Sequence, residues 1–174
     1  DEGDPQLSWL RTVSIDDPLQ RLEALQGAPE VSAEVLLARA RAGLEAARGE
    51  RVDEAVQTLL ANDPWDWRAV WMSGLLALAR GDTVQAQSAF NAVYGQVPGE
   101  LAPKLALAFA CESGGEADVA ESLYTVCART DANHIAPAAF GLARIRAARG
   151  DVAGAVRALD LVPGTSRAFA ALRT

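Results

Sequence analysis

Few side chains in this sequence are suited to chemistry. The single histidine, His134, has no cysteine or second histidine at ligand spacing. No metal centre is expected around it, and no Ser-His-Asp or Cys-His nucleophile. Cys111 and Cys127 are too few for a secreted disulfide framework. They read as buried, unreactive thiols, with a mutual disulfide as the alternative. Lys104, the only lysine, follows Pro103 in the first turn of an expected helix and reads as a solvated charge. Asp16-Asp17 and Asp53-Glu54 read as solvated or capping acids, not as a paired-carboxylate site. Trp65, Trp67 and Trp71 form an aromatic cluster, the last two at i and i+4 on one helix face. Packing is the expected role, and a partner hot spot is the alternative. No phosphate loop and no dinucleotide fingerprint occur. The sequence therefore predicts no catalytic residues, no metal site and no cofactor of its own.

The elements that hold these residues must be helices. Across 174 residues there are 36 Ala and 21 Leu against 3 Ile, 4 Phe and 2 Tyr, which favours helix formers heavily over strand formers. Half of the residues are apolar and 22% are charged, enough to build a packed core and outside the composition of disordered chains. The net charge of −7 leaves no phosphate-neutralising surface, so no nucleic-acid partner is expected. No apolar run reaches the roughly 20 residues of a membrane span. Residues Asp1 to Pro5 are not a signal peptide. The absent initiator Met and the stop at Thr174, just after a new apolar pattern begins, predict a piece of a longer protein with a truncated C-terminus.

One phrase repeats along the chain: a Gly, often followed by an acid, then Ala five places on and a large residue four beyond that. Gly81-Asp82, Ala86 and Phe90 are its clearest copy, followed by Gly115-Glu116, Ala120, Tyr124 and Gly150-Asp151, Ala155, Leu159. An earlier copy, Gly49-Glu50, Ala55, Leu59, has one extra residue. The alanines Ala55, Ala86, Ala120 and Ala155 stand 31, 34 and 35 residues apart. This resembles the tetratricopeptide repeat (TPR), whose period is about 34. The copy from Trp67 to Glu100 also has the small residue Gly74 at position 8 and Pro98 at position 32, but carries Ser73 and Ala77 where Leu and Tyr are usual. Gly43, Ala108 and Ala143 are read as position 8 in the other copies.

The expected fold is all-α, a TPR-like α-solenoid of about four helix hairpins with flanking N- and C-terminal helices. Residues 1–30 are read as a linker with a short helix, Leu19 to Leu25, and 31–174 as the array, with repeats near 36–66, 67–100, 101–134 and 136–169. Helices are expected near 33–48, 51–61, 66–80, 83–94, 101–113, 117–129, 135–149 and 152–161. Another is expected to begin at Thr165-Ser166. Asp17-Pro18 and Asp63-Pro64 have the form of helix starts, a capping acid before a first-turn Pro. The repeated Gly reads as the left-handed residue that ends each first helix.

In the TPR family the first helix of each repeat lines a concave groove through positions 2, 5, 9 and 12. The resemblance assigns Arg68, Trp71 and Leu75 to that groove, then Leu105 and Phe109, then Phe140 and Arg144. The Lys and Asn carboxylate clamp of chaperone-binding members is missing. An apolar groove of this kind suits either the protein's own neighbouring elements or an apolar partner.

Longer phrases narrow the resemblance. They include Trp67-Arg68-Ala69-Val70-Trp71, Pro98-Gly99-Glu100-Leu101-Ala102-Pro103-Lys104-Leu105, Ala138-Ala139-Phe140-Gly141-Leu142-Ala143-Arg144 and Val162-Pro163-Gly164-Thr165-Ser166-Arg167. Over residues 8–174 the chain resembles the C-terminal repeat region of the soluble serine/threonine protein kinase G family of actinobacteria. The resemblance implies a cytoplasmic parent enzyme with its kinase domain upstream, where ATP and Mg would bind. None of the kinase motifs is in this chain. For this part it implies a non-catalytic regulatory domain. Its implied partners are its own kinase domain, a second TPR copy in a homodimer, and a forkhead-associated-domain substrate protein. A free-standing TPR adaptor that holds an apolar peptide or helix in the groove is the alternative.

Overall fold

The computed structural model describes residues 2–97, 99–130 and 132–163, apart from the side chains of 132 and 133. Pro98 and the helix expected from Thr165-Ser166 lie outside these residues. Ten helices and no strand occur among the described residues: α1 (Leu7–Leu10), α2 (Pro18–Gln26), α3 (Ala33–Glu45), α4 (Gly49–Asn62), α5 (Trp67–Ala79), α6 (Thr83–Gln96), α7 (Leu101–Ser113), α8 (Ala117–Thr130), α9 (Ala132–Ala148) and α10 (Val152–Leu159). None of them is long and apolar enough to cross a membrane. The chain divides into two compact units, one ending at Asp82 and carrying α1 to α5, the other starting at Thr83 and carrying α6 to α10.

The all-helical hairpin fold read from the sequence is the fold observed, and its register is more regular than the sequence phrase suggests. The second helices begin at Gly49, Thr83, Ala117 and Val152, which are 34, 34 and 35 residues apart. The first helices end at Glu45, Ala79, Ser113 and Ala148 with the same spacing. Between them lies one repeated turn, in which a residue of positive φ is followed by an N–H that reaches back to the last turn of the helix. Asp82 N–H donates to Ala77 O (2.9 Å), Glu116 N–H to Cys111 O (2.8 Å) and Asp151 N–H to Arg146 O (2.9 Å). The residues of positive φ are Gly81 (75°), Gly115 (85°) and Gly150 (81°), as expected for a glycine that closes a helix.

The first hairpin departs from the reading of the sequence. Its left-handed residue is Ala47 (φ 54°), and Arg48 N–H donates to Gly43 O at 2.8 Å. Gly49 is instead the first residue of α4. A Cβ there would meet Nη2 of Arg80 at 2.8 Å, so its bare backbone lets the guanidinium pass. The turn of the first copy therefore lies two residues before Gly49, and its facing positions lie three residues before Gly43, Ala55 and Leu59. Ala40 and not Gly43 shares the register of Gly74, Ala108 and Ala143, while Val52 and Val56 share that of Ala86 and Phe90. Gly43 faces Val52, whose Cγ2 would lie 2.9 Å from a Cβ at 43. The bulk that the next copy divides between Ala77 and Ala86 is here carried by Val52 alone.

In the first unit Leu36, Leu37, Val52, Val56, Leu59, Met72 and Leu76 make a core among α3, α4 and α5. Each large apolar side chain so buried contributes about 1.5–3 kcal/mol. A smaller cluster, Leu22, Leu25 and Ala42 with Trp9, Leu10 and Val13 against it, seats α1 and α2 on α3. Asp17 caps α2 by accepting from Gln20 N–H at 2.8 Å, as Asp17-Pro18 predicts. Arg39 donates to Leu25 O through Nε (3.1 Å) and Nη2 (3.0 Å), placing a cation on the carbonyl end of α2. Asp63-Pro64 is not a helix start. Asp63 accepts from Trp65 N–H (3.0 Å) in a turn, and α5 is capped by Asp66, which accepts from Arg68 N–H at 3.0 Å. The second unit is centred on Phe90, Val93, Tyr124, Cys127 and Leu142, all nearly or fully buried.

Candidate functional site

The tryptophans do not act as one cluster. Trp71 is half-buried against the α3–α5 core, but Trp65 is 79% exposed, which overturns packing as its role. Trp65 stands in the turn before α5, where no core element covers it. Cys111 and Cys127 are buried free thiols, and burial pushes both above the ordinary thiol range. Lys104 is not simply solvated, since its Nζ lies 5.2 Å from the centre of the Tyr94 ring. Among the described residues no three His, Cys, Asp or Glu side chains group to hold a metal.

The groove residues are divided between the two units. In the first unit, Arg68 is tied down by two carboxylates. It donates to Glu34 Oε1 at 2.6 Å and to Asp66 Oδ1 at 3.3 Å. Burial alone would raise the Glu34 pKa, but hydrogen bonding and the charge of Arg68 hold it below the usual glutamate range. Glu34 and Arg68 stand at the same place in successive repeats, 34 residues apart, so the pair fastens one first helix to the next. Leu75 packs beside Trp71 on the same core.

In the second unit Leu105 and Phe140 are half-buried, while Phe109 is 48% exposed. Arg144 grips Glu112 with both arms, Nε to Oε1 and Nη2 to Oε2, each at 2.9 Å. The second oxygen of Glu112 also accepts from the Tyr124 hydroxyl at 2.6 Å. Arg144 holds the Glu112 carboxyl below the usual range, and burial together with Glu112 raises the Tyr124 hydroxyl. The Tyr124 ring lies so close to α9 that a Cβ on Gly141 would come within 2.5 Å of it. Phe109 precedes Glu112 by one helical turn and Phe140 precedes Arg144 by one. The ion pair thus sets the two aromatic residues on neighbouring turns of α7 and α9.

Sequence reasoning did not single out Glu34, Glu112 or the Tyr124 hydroxyl as partners of the groove arginines. The usable signal was charge opposition at repeat spacing, 34 residues for Glu34 and Arg68 and 32 for Glu112 and Arg144. Within each unit the ion pair can hold neighbouring first helices in register, with apolar side chains beside it.

Comparison with known proteins shows what the chain is similar to. The serine/threonine-protein kinase PknG of Mycobacterium leprae (strain TN) is 35% identical over 184 residues, covering 99% of this chain and 24% of the kinase. The kinase of the same name from Mycolicibacterium smegmatis is 39% identical over 142 residues, 82% of this chain and 18% of the kinase. The chain therefore spans about a quarter or less of these relatives' length. Among solved structures, MamA 41-end from Desulfovibrio magneticus RS-1 superposes with a TM-score of 0.75 at 15% identity, covering 91% of this chain and 93% of that one. MamA AMB-1 gives 0.69 at 16%, covering 95% and 93%. At that identity the likeness concerns the fold alone. The match to the family described as "Protein kinase G tetratricopeptide repeat" runs over residues 1–174, and the chain belongs to that family.

Proposed function

We propose that this chain is the non-catalytic regulatory domain of a cytoplasmic serine/threonine protein kinase, and that its helix hairpins pack on the kinase domain, support dimerisation and help to engage the protein substrate. The observation that carries this reading is the family match over the whole chain, joined to relatives that are serine/threonine kinases several times its length. ATP and Mg then belong to the kinase domain, and a forkhead-associated-domain protein is the proposed substrate partner. The rigid ion pairs Arg68–Glu34 and Arg144–Glu112 support a scaffolding role, because they fix first helices against each other without offering a reactive group. The reading frame upstream of Asp1 provides a direct test. Kinase motifs encoded there support the proposal, and an upstream stop codon would remove it.

A second reading rests on Phe109, an aromatic residue left half exposed on a first helix. It is a free-standing adaptor that binds an apolar segment on the second unit, along Leu105, Phe109 and Phe140. Phe109→Ala separates the two. As an adaptor the protein should lose partner affinity with its stability nearly unchanged. As a kinase domain piece it should bind no free apolar peptide before or after the change.

A further inference from the structure

Within the first unit a cleft of about 320 Å³ lies between α1, α2 and α3. Its apolar surface comes from Leu7, Leu10, Val13 and Leu25, with Ala38 on the α3 side. Four charged side chains also line it, Arg21, Glu34, Arg41 and Glu45. Glu45 is paired with Arg21, and Glu34 with Arg68. The remaining charge on the lining is Arg41, an exposed guanidinium with no ion-pair partner among the described residues.

The repeat register explains why Arg41 is left over. Stepping along by the observed spacings of 34, 34 and 35 residues, Arg41 corresponds to Leu75, Phe109 and Arg144. Arg144 occupies that place in the last repeat, and its carboxylate comes from Glu112 on the preceding first helix. Ahead of Arg41 stand α1 and α2, which supply Leu7, Leu10 and Leu25 at the cleft and no free carboxylate. The same guanidinium position is thus filled by a carboxylate in one unit and opens onto a cleft of mixed apolar and charged lining in the other.

We propose that this cleft binds a small aliphatic carboxylate, with its chain on Leu7, Leu10, Val13 and Leu25 and its carboxylate on Arg41, as Glu112 sits on Arg144. At the roughly 30 Å³ taken up by a water-sized group, the volume suits a ligand of about ten non-hydrogen atoms. Octanoate has that size. A ligand so small in a partly open cleft binds with a Kd on the order of 1 mM.

The test is a titration of the ¹⁵N-labelled protein with octanoate, followed through amide shifts, with circular dichroism confirming the fold of each variant. Expected are saturable shifts in α1, α2 and α3, weakened about fivefold or more by Arg41→Gln, partly retained in Arg41→Lys, and lost when Ala38→Phe fills the cleft. Absence of saturable shifts up to about 10 mM overturns the proposal. So does 1-octanol binding as well as octanoate, or an Arg41→Gln variant that binds equally, because either result leaves the carboxylate without a role. Should Ala38→Phe fail to fold, the Arg41 pair and the octanol comparison still decide. A short peptide ending in a leucine carboxylate that binds more tightly than octanoate overturns the free acid in favour of a chain terminus.

Discussion

The hairpin of α3 and α4 and the hairpin of α7 and α8 have the same backbone register and divide volume and charge differently. In the first, Gly43 makes room for Val52, and Val56 occupies the place of the large residue. In the other, Cys111 and Ala120 share the contact region and Tyr124 takes the large place, reaching Glu112 with its hydroxyl. The turn of the first closes on Ala47, that of the other on Gly115. A repeat of this kind prescribes where the backbone goes and how much volume each pair of facing positions must hold. It leaves open which partner supplies that volume.

The largest expected effect is at the ring that distinguishes the second unit. Tyr124→Ala empties the space against Gly141 and removes the hydroxyl from Glu112, and should cost about 3–5 kcal/mol in urea unfolding. Val56→Ala, at the same register position, should cost clearly less. Equal costs would break the comparison. Next is the exchange of volume in the first unit. Gly43→Ala should cost about 1–3 kcal/mol through overpacking, and Val52→Ala about 2 kcal/mol through the space it leaves. The double variant reproduces the pairing of Ala77 with Ala86 in the next repeat. Its loss should fall short of the sum by about 0.5 kcal/mol or more; strict additivity would mean that the two residues do not share one space.

A smaller effect concerns charge. The folded Glu112 carboxyl titrates below its ordinary value because Arg144 and Tyr124 favour its charged form. Its contribution is therefore complete above the unfolded glutamate pKa of about 4.3 and is lost as pH falls through the lower folded value. The stability gap between the parent and Glu112→Gln should be on the order of 1 kcal/mol near neutral pH, since Arg144 is partly solvated. It should close on acidification, which acid-range unfolding curves will show. The smallest effect is at the turns. Ala47→Gly should stabilise by about 0.5 kcal/mol, the relief of a left-handed alanine outweighing the added chain entropy. Gly115→Ala should destabilise by about 1 kcal/mol. The same sign at both sites would show that the two turns are not equivalent.

Much of this architecture was readable from residue types. Gly81, Gly115 and Gly150 announce their turns because few other residues accept that backbone, and Ala86 and Ala120 mark where helices approach closely. The first copy was misread for a physical reason. Ala47 adopts the glycine conformation without being glycine, so the nearest visible signal was Gly49, whose bare backbone serves the passage of Arg80. Asp63-Pro64 misled in a similar way, since an acid before Pro also suits a turn, and the cap belongs to Asp66 three residues on. For the candidate groove residues, the helices that carry them were legible while their side-chain partners were not. That Arg144 closes on Glu112 and Tyr124 depends on side chains from three helices, which no spacing within one helix reveals.

In the function proposed above, these hairpins regulate a kinase without taking part in phosphotransfer. Phosphorylation by the full-length parent enzyme, with this region present and deleted, tests it most directly when a protein substrate and a generic peptide are compared. The account predicts that the isolated chain transfers no phosphate, that peptide phosphorylation persists after deletion, and that kcat/KM for the protein substrate falls. Phosphotransfer by the isolated chain, or an unchanged kcat/KM for the protein substrate after deletion, would contradict it.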